Sequence, residues 1–136
     1  MKIAYIEEKL FTQEQIQQLF LSINWMSGQY PSRLYDALMH SSTVITAWSG
    51  KNLVGLVRVL DDGGMLAYLH YLLVHPDYQG QGIAHHLVDM VKEKYRDFLY
   101  LEVMPEDSNN VPFYKRHGFS RMEDGTAMII MNTAIK

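Results

Sequence analysis

The sequence contains no cysteine, which excludes disulfide scaffolds, thiolate metal sites and cysteine nucleophiles. It also has no stretch approaching the ~20 consecutive apolar residues that a membrane-spanning helix needs. The N-terminal segment 1–9 brings Glu7 and Glu8 before an apolar core forms, so it does not match a secretory signal. We therefore expect a cytoplasmic protein that has no membrane partner.

A run of basic residues is missing as well. The 12 lysines and arginines are scattered among 15 acidic residues, and the formal net charge is -3. Proteins that bind nucleic acid usually present a basic patch that neutralises phosphates, so we expect no nucleic-acid partner. An anionic ligand would be better bound by backbone N–H groups at the start of a helix.

The overall composition is that of an ordinary globular protein. Hydrophobic residues make up 48% of the 136 positions and charged residues 20%, which excludes a disordered chain. No repeat, low-complexity tract or linker divides the sequence. Residues 1–136 are therefore predicted to form a single domain.

The hydrophobic pattern predicts an α+β fold. It contains a mixed, mostly antiparallel sheet of about seven strands flanked by about four helices. The helices are predicted after the capping-box sequence Thr12–Gln15, over Ser32–His40, from Ile83 to Tyr95, and from Pro112 to His117. The strands are predicted at Ile3–Ile6, Thr43–Trp48, Leu53–Leu60, Leu66–Val74 and Phe98–Val103, and in a closing hairpin of Phe119–Met122 and Ala127–Met131.

A glycine-rich turn, residues 79–84, lies between the strand that ends at Val74 and the helix that begins at Ile83. Glycines expose backbone N–H groups, and a helix N-terminus adds unpaired donors and partial positive charge, a geometry that suits phosphate. The Walker A sequence is excluded because no Gly-Lys-Ser/Thr is present. The dinucleotide fingerprint is excluded because His85 replaces its third glycine or alanine. From the spacing alone, a plain strand-to-helix turn is an equal alternative.

The segment around this turn, Leu72–Leu87, resembles the acyl-CoA-binding signature of the GNAT N-acetyltransferases. The core of that signature, Gln/Arg-x-x-Gly-x-Gly/Ala, and its lead-in, Val-x-Pro-x-Tyr, are matched by Gln79, Gly82, Ala84, Val74, Pro76 and Tyr78. A second stretch, Pro112–Phe119, resembles the later Phe-Tyr-x-x-x-Gly-Phe motif of the family. The resemblance extends over the whole chain.

The resemblance implies direct transfer of an acetyl group from acetyl-CoA, the co-substrate, to a primary amine, preferably of a small molecule. A protein or peptide N-acetyltransferase and a non-catalytic acyl-CoA-binding module are the alternatives. Because cysteine is absent, no acyl-cysteine intermediate can form. The resemblance also allows a homodimer, for which the predicted closing hairpin offers a surface.

The resemblance further implies where the parts of acetyl-CoA bind. Backbone N–H groups of the turn would bind the pyrophosphate, and the pantetheine arm would pair with the end of the fourth strand where the fourth and fifth strands splay apart. A backbone N–H near Leu72 or Leu73 would stabilise the oxyanion. Many members of the family have an asparagine at the position that Asp107 occupies here. The cofactor contact implied for that asparagine is therefore assigned to Asn109. The implied cofactor-binding set is Leu72, Leu73, Val74, Gln79, Gly80, Gln81, Gly82, Ile83, Ala84, Asn109 and Tyr114.

Two residues are predicted to be catalytic. Tyr114 matches the family tyrosine that donates a proton to the departing thiolate, although it could also only pack beneath the cofactor. His70, on the fourth strand, has a free pKa suited to accepting the amine proton, and strand alternation predicts that it shares a face with Tyr68 and Leu72. The alternatives are that His70 only packs, and that Glu102 is the base.

Several further residues are candidates for the acceptor side. Arg58 is predicted either to face the substrate or to pair with Asp61, and Tyr71 either to line the acceptor pocket or to fill the core. Trp25, Tyr30 and Trp48 are candidates for an aromatic wall, with core packing at least as good an account of Trp48. No metal site is expected, because the histidines lack a ligand spacing such as His-Glu-x-x-His.

Overall fold

The computed structural model describes residues 2–132. The backbone divides into two compact units, the first ending at Val103 and the second beginning at Met104. The assignment of the whole chain to a single domain stays a prediction.

The first unit is a five-stranded sheet with three α-helices. The strands are β1 (Ala4–Ile6), β2 (Thr43–Ser49), β3 (Asn52–Asp61), β4 (Leu66–Val74) and β5 (Tyr100–Val103), and the helices are α1 (Gln13–Ser22), α2 (Pro31–Met39) and α3 (Ile83–Lys94). The strands lie in chain order, with β1 to β4 antiparallel and β5 parallel to β4. The parallel pair requires a crossover, which α3 provides. Among residues 2–132, no helix is both long and apolar enough to cross a membrane.

Helix α1 begins where the sequence predicts it. The N–H of Gln15 donates to the Thr12 hydroxyl over 3.1 Å, and the N–H of Thr12 donates to the Gln15 side chain over 2.9 Å. This reciprocal capping box satisfies two N–H groups that a helix start otherwise leaves unpaired. The buried face of α1, which includes Phe20, packs with α2 against the sheet in a cluster of Phe11, Ile16, Leu19, Phe20, Leu34, Leu38, Val44, Leu53, Leu56 and Leu73.

Helix α3 contacts β2, β3 and β4 through its own apolar face. Its buried residues are Ile83, Leu87, Val88 and Val91. At Gly55 the approach is close, since an added Cβ would lie 3.1 Å from Ile83 and 3.3 Å from the Ala47 side chain. The central strands are accordingly buried on both faces, which explains their nearly continuous apolar sequences.

The second unit contains one α-helix, α4 (Val111–Arg116), preceded by a single 3₁₀ turn over Ser108–Asn110. Gly118 follows in the left-handed conformation, with φ +93°, and ends the helix as predicted. The prediction of a closing hairpin is wrong, because no strand forms among residues 104–132.

The two hairpin segments lack what a strand pair needs. A turn does form, with the N–H of Gly125 donating to the Met122 carbonyl over 3.2 Å, but no ladder extends from it. The run from Met128 to Met131 is apolar without alternation, so it defines no buried face that would select a register. Met128, Ile129 and Ile130 are 77–92% exposed. The described sheet therefore has five strands instead of about seven.

The fifth strand is also shorter than predicted. The N–H of Phe98 donates to the Tyr95 carbonyl over 3.0 Å, which makes Phe98 part of the turn that ends α3. Pairing with β4 begins only at Tyr100, opposite Leu66. The predicted start at Phe98 is therefore wrong by two residues.

Loss of the capping hydroxyl should lower stability measurably. We expect Thr12→Ala to reduce the free energy of unfolding by about 1 kcal/mol, because the Gln15 N–H loses its partner. Urea unfolding followed by circular dichroism measures the change. Thr12→Ser keeps the hydroxyl and is the matched control. Equal stabilities of the two variants would show that the capping box contributes nothing.

Candidate active site

The glycine-rich turn has the backbone conformation that only glycine adopts readily. Gly80 and Gly82 lie at φ +79° and +84°, and Gly82 is the N-cap of α3. An added Cβ at either glycine would meet nothing within 4 Å, so the turn faces open space. Helix geometry leaves the N–H groups of Ile83 and Ala84 without intrahelical partners. The turn can therefore present backbone donors to an anion.

Side chains fasten this turn to the end of β4. The Gln79 side-chain amide donates to the Val74 carbonyl over 3.0 Å. The N–H of Asp77 donates to Nδ1 of His75 over 3.1 Å, and the N–H of His75 donates to the Val54 carbonyl over 2.8 Å. The backbone N–H of Gln79 also has a partner, since it donates to the Pro76 carbonyl over 3.4 Å. Gln79 is thus held by the chain itself, and its contact with the cofactor stays a prediction.

Strand β4 has an open edge next to the turn. Parallel pairing with β5 runs only from Leu66 to Leu69 on β4, and β5 ends at Val103, opposite Leu69. Strand β4 continues to Val74, which pairs with Gly55 of β3 on its other side. Within the first unit, residues 70–74 therefore have a free strand edge. An extended ligand can add to such an edge by backbone hydrogen bonds, and Leu72, Leu73 and Val74 lie on it.

A β-bulge falls at His70. Arg58 of β3 is opposite Tyr71, but the next residue, Val59, is opposite Leu69, which leaves His70 without a residue across from it. Tyr71 therefore shares a face of the sheet with Arg58, while Leu72, opposite Val57, lies on the other face. The side chain of His70 contacts Arg58 and Tyr71.

The bulge overturns part of the expected alternation. His70 does lie near Tyr68, with ring centroids 6.1 Å apart, but it does not share a face with Leu72. An extra residue in one strand breaks the two-residue period that the prediction assumed.

Arg58 is the centre of a polar cluster on the face of the sheet that α1 and α2 cover. Its Nε donates to the Ser41 hydroxyl over 2.8 Å, and its Nη1 donates to Nδ1 of His70 over 2.9 Å. The guanidinium carbon lies 5.2 Å from the centroid of the Tyr71 ring, a cation–π distance. Arg58 does not pair with Asp61, whose carboxylate accepts instead from the Tyr95 hydroxyl over 2.6 Å.

Aromatic side chains from α1 and the following loop surround Tyr71. The Phe20 ring meets it edge-on at 4.9 Å, and Trp25 lies at 5.9 Å. The Tyr71 hydroxyl is 2.8 Å from the Ser27 hydroxyl. The ring of Tyr71 thus packs on the core, and its hydroxyl belongs to the polar cluster around Arg58. Trp48, by contrast, donates its indole N–H to Thr46, consistent with packing.

The bond from Arg58 determines the protonation of His70. A guanidinium has no lone pair, so it must be the donor and Nδ1 the acceptor, and the proton of the neutral ring lies on Nε2. Desolvation of the ring, and then the charge of Arg58, lower the pKa of His70 below its ordinary 6.5. At neutral pH His70 is therefore uncharged, and while this bond holds it has no ring lone pair for an amine proton.

Glu102 is the other candidate base. It is half-buried on β5 and lies opposite Tyr68 of β4, one residue before the strand pairing ends. Directly opposite residues share a face of the sheet, so Glu102 is on the same side as Tyr68. The register thus places a carboxylate beside the point where the two strands part.

In the second unit, Tyr114 is a buried residue of α4. Phe113 and Phe119 lie edge-on to its ring at 5.1 and 5.6 Å. Burial, and secondarily the negative charge of Glu106, raise the pKa of Tyr114 to about 12. Its phenol is therefore a hydrogen-bond donor at neutral pH. Asn109 is exposed, and its N–H donates to the Asp107 carboxylate over 2.9 Å, so Asp107 caps the turn that precedes α4.

The histidines form no metal centre in the part of the chain that the structure describes. Across residues 2–132, no three histidine, aspartate or glutamate side chains converge on a point that could hold an ion. His86 instead stacks on Tyr5, with ring centroids 3.8 Å apart and an interplanar angle of 13°. His75 accepts the backbone bond described above.

The sequence and fold were compared with known proteins. The model of the "Acetyltransferase (GNAT) family" matches residues 9–119. An uncharacterised N-acetyltransferase, ycf52, of Porphyra purpurea is 29% identical over 119 residues, covering 82% of this chain and 66% of that protein. The chain thus spans just under two thirds of the length of that relative.

Solved structures share the fold over nearly the whole chain. A GNAT family acetyltransferase from Streptococcus pneumoniae has a TM-score of 0.83 and 28% identity, covering 97% of this chain and 99% of the other. A probable acetyltransferase from Staphylococcus aureus has a TM-score of 0.86 at 20% identity, covering 96% and 100%. The match of the family model over residues 9–119, together with the predicted acyl-CoA signature and this shared fold, leads to one conclusion: the chain belongs to the GNAT family of acetyltransferases.

Proposed function

We propose that the protein transfers an acetyl group from acetyl-CoA directly to a primary amine of a small molecule. The observation that carries this proposal is the free edge of β4, residues 70–74, which leads into a turn rich in exposed backbone donors. The amine nitrogen forms a bond to the acetyl carbon while the carbon–sulfur bond breaks. The amine loses one proton, and the released thiolate gains one.

The residues of the first unit fit the expected parts of acetyl-CoA. Pyrophosphate would be bound by N–H groups of Gly80 to Ala84, where no Cβ of Gly80 or Gly82 obstructs the approach. The amides of the pantetheine arm would pair with the edge formed by Leu72, Leu73 and Val74. A backbone N–H near Leu72 or Leu73 would stabilise the negative charge that develops on the carbonyl oxygen.

Tyr114 is proposed as the group that assists the leaving thiolate. It matches the family motif, and its raised pKa of about 12 keeps the hydroxyl protonated. A thiol has a pKa of roughly 8.5, so a phenol of pKa 12 releases its proton less readily than the thiol does. Tyr114 would therefore act by donating a hydrogen bond to the developing thiolate, and the proton that the amine releases, relayed through solvent, would end on the sulfur.

Glu102 is proposed as the acceptor of the amine proton, directly or through water. The sequence offers two candidate bases, His70 and Glu102. Of these, His70 is the less suitable, because the only lone pair of its neutral ring already accepts the hydrogen bond from Arg58. A primary alkylamine has a pKa of ~10 and is mostly protonated at neutral pH, so a proton acceptor is needed. The place of Glu102 beside the divergence of β4 and β5 supports this role.

A protein or peptide acetyltransferase is the alternative within the family. The loop between α1 and α2 is tied to the sheet by the contact of Ser27 with Tyr71, and this closure supports a compact acceptor. Assays of CoA release with acetyl-CoA and a panel of small amines and peptides, with products identified by mass spectrometry, test the proposal. If CoA binds but no acceptor is acetylated, the chain is an acyl-CoA-binding module.

Substitution of Gly82 tests the turn as the pyrophosphate site. We expect Gly82→Asp to weaken CoA binding at least tenfold, about 1.4 kcal/mol, because it adds negative charge and strain at a residue with φ +84°. Isothermal titration calorimetry measures the dissociation constant. Gly63→Asp is the matched control, since Gly63 has φ +88°, equally open surroundings, and lies in the turn at the other end of β4. Equal affinities for both variants would rule out the turn as the phosphate site.

Substitution of Tyr114 tests its role at the leaving thiolate. We expect Tyr114→Phe to lower kcat at least tenfold while the affinity for acetyl-CoA changes little, because the hydroxyl acts mainly when thiolate charge develops. Steady-state kinetics and calorimetry separate the two effects. Tyr100→Phe, which removes an exposed hydroxyl from β5, is the control. Unchanged turnover in Tyr114→Phe would make Tyr114 a packing residue.

Substitution of Glu102 tests the proposed base. We expect Glu102→Gln to reduce kcat by about 10²-fold, because the amide cannot accept the proton, whereas His70→Gln should keep kcat within about threefold of the wild type. Steady-state kinetics with a good acceptor measures both variants. A large loss of kcat in His70→Gln alone would return the role to His70.

A further inference from the structure

Arg58 is a half-buried cation that has no anionic partner in the first unit. The ion pairs of the first unit include Lys94 with Glu7 and Arg96 with Glu93, and none of those seen within residues 2–103 involves Arg58. A charge taken partly out of water is costly unless an opposite charge or hydrogen bonds compensate it, and such groups are normally paired. Two hydrogen bonds and the Tyr71 ring offset part of this cost, and an anionic ligand would add the opposite charge that the first unit does not provide.

The guanidinium of Arg58 is held in place before any ligand arrives. Ser41 is buried and donates its own hydroxyl proton to the Ala37 carbonyl over 2.7 Å, so its oxygen can accept from Nε of Arg58. His70 accepts from Nη1, and the Tyr71 ring lies against the guanidinium. A guanidinium has five N–H donors, and these two bonds use two of them. Three donors are left for a ligand.

The ligand at Arg58 is not the phosphate-bearing part of CoA. Arg58 is opposite Tyr71, whereas the β4 end that leads into the turn is Val74, opposite Gly55. Three residues of strand span about 10 Å, and the turn lies beyond that. Arg58 is instead beside the start of the free edge, because Tyr71 is two residues after Leu69, the last β4 residue paired with β5. This is the side on which the proposed Glu102 lies.

We propose that Arg58 binds a carboxylate of the acceptor, so that the acceptor is a small amino carboxylate. The inference rests on the proposed function. A carboxylate is planar and carries one negative charge, which matches both the guanidinium fork and the single positive charge of Arg58. A phosphate dianion would leave a negative charge uncompensated in a half-buried place. His70 is a positioning residue that fixes the guanidinium through Nδ1.

The test compares acceptors that differ only in the carboxylate. The panel consists of ω-amino carboxylates of three to six carbons, each paired with its ω-amino amide. We expect the wild type to show at least tenfold higher kcat/KM for the carboxylate of one or more pairs. In Arg58→Gln the ratio should fall to about 1, mainly through KM. Arg58→Lys, which keeps the charge but not the fork, should give an intermediate ratio, and Arg96→Gln should keep the wild-type ratio.

A second comparison tests the positioning role of His70. The side-chain oxygen of Asn lies near the place of Nδ1, so His70→Asn should keep the acceptor for Arg58 and hold KM for the amino carboxylate within about threefold of the wild type. His70→Leu should raise that KM at least fivefold and leave kcat nearly constant. An equal loss of kcat in both variants, with KM unchanged, would overturn the positioning role.

A binding measurement separates this inference from the proposed function. Calorimetric titration of the CoA-bound wild type and of Arg58→Gln with the same amino carboxylates requires no turnover. Carboxylate binding that needs Arg58, without transfer to any amine, would support the inference and refute the proposed function. Equal transfer to both members of every pair would support the function and overturn the inference. No Arg58-dependent binding or preference in either assay would also overturn it.

Discussion

The parallel pairing of β4 with β5 stops after four residues, and the arrangement of the site depends on that stop. Strand β5 ends at Val103, and Pro105 follows two residues later in the sequence. Proline lacks an N–H and fixes its own φ, so it cannot continue a ladder. Strand β4 meanwhile runs on to Val74, where the side chain of Gln79 ties the glycine-rich turn to it. The edge of β4 that is free within the first unit therefore leads directly to the turn that carries Gly80 and Gly82.

The proposed site offers two kinds of donor for negative charge. At the turn, the donors are backbone N–H groups set by glycine conformations, so a chain of net charge -3 needs no basic side chain there to bind the proposed anionic cofactor. Three residues before the end of β4, Arg58 is a full charge opposite Tyr71 that is held by side chains, and the bulge at His70 brings its supports together. The two kinds of donor suit a diffuse pyrophosphate and a compact carboxylate respectively.

Local features of this fold could be predicted from the sequence because neighbouring residues determine them. The capping box at Thr12 depends on residues three apart, the strand over Leu66–Val74 on its own composition, and the turn at Gly80 and Gly82 on glycine itself. The family followed from two motifs. The prediction of a closing hairpin failed because it relied on strand propensity alone. A strand also needs a neighbouring strand to pair with, and the run ending at Met131 has none among the described residues.

The acceptor side could not be predicted in the same way. A bulge adds one residue to a strand without any change in composition, so alternation placed His70 correctly beside Tyr68 but wrongly beside Leu72. The tautomer of His70 follows from a bond to a residue on a different strand, and Ser41 and Ser27 carry no signal in the sequence that distinguishes them from other serines. These features arise only when distant segments meet.

The contacts that hold Arg58 in place also affect the thermodynamics of ligand binding. Part of the water is removed from the guanidinium, and its rotamers are fixed, when the chain folds, because Ser41, His70 and Tyr71 hold it in the free protein. A ligand that arrives later meets a cation already oriented and partly dehydrated, so the side chain of Arg58 loses little conformational entropy on binding. Selectivity for the ligand at Arg58 therefore depends on the stability of the fold. A mutation that loosens the packing of α2 against the sheet would lower this selectivity without changing any group that contacts the ligand.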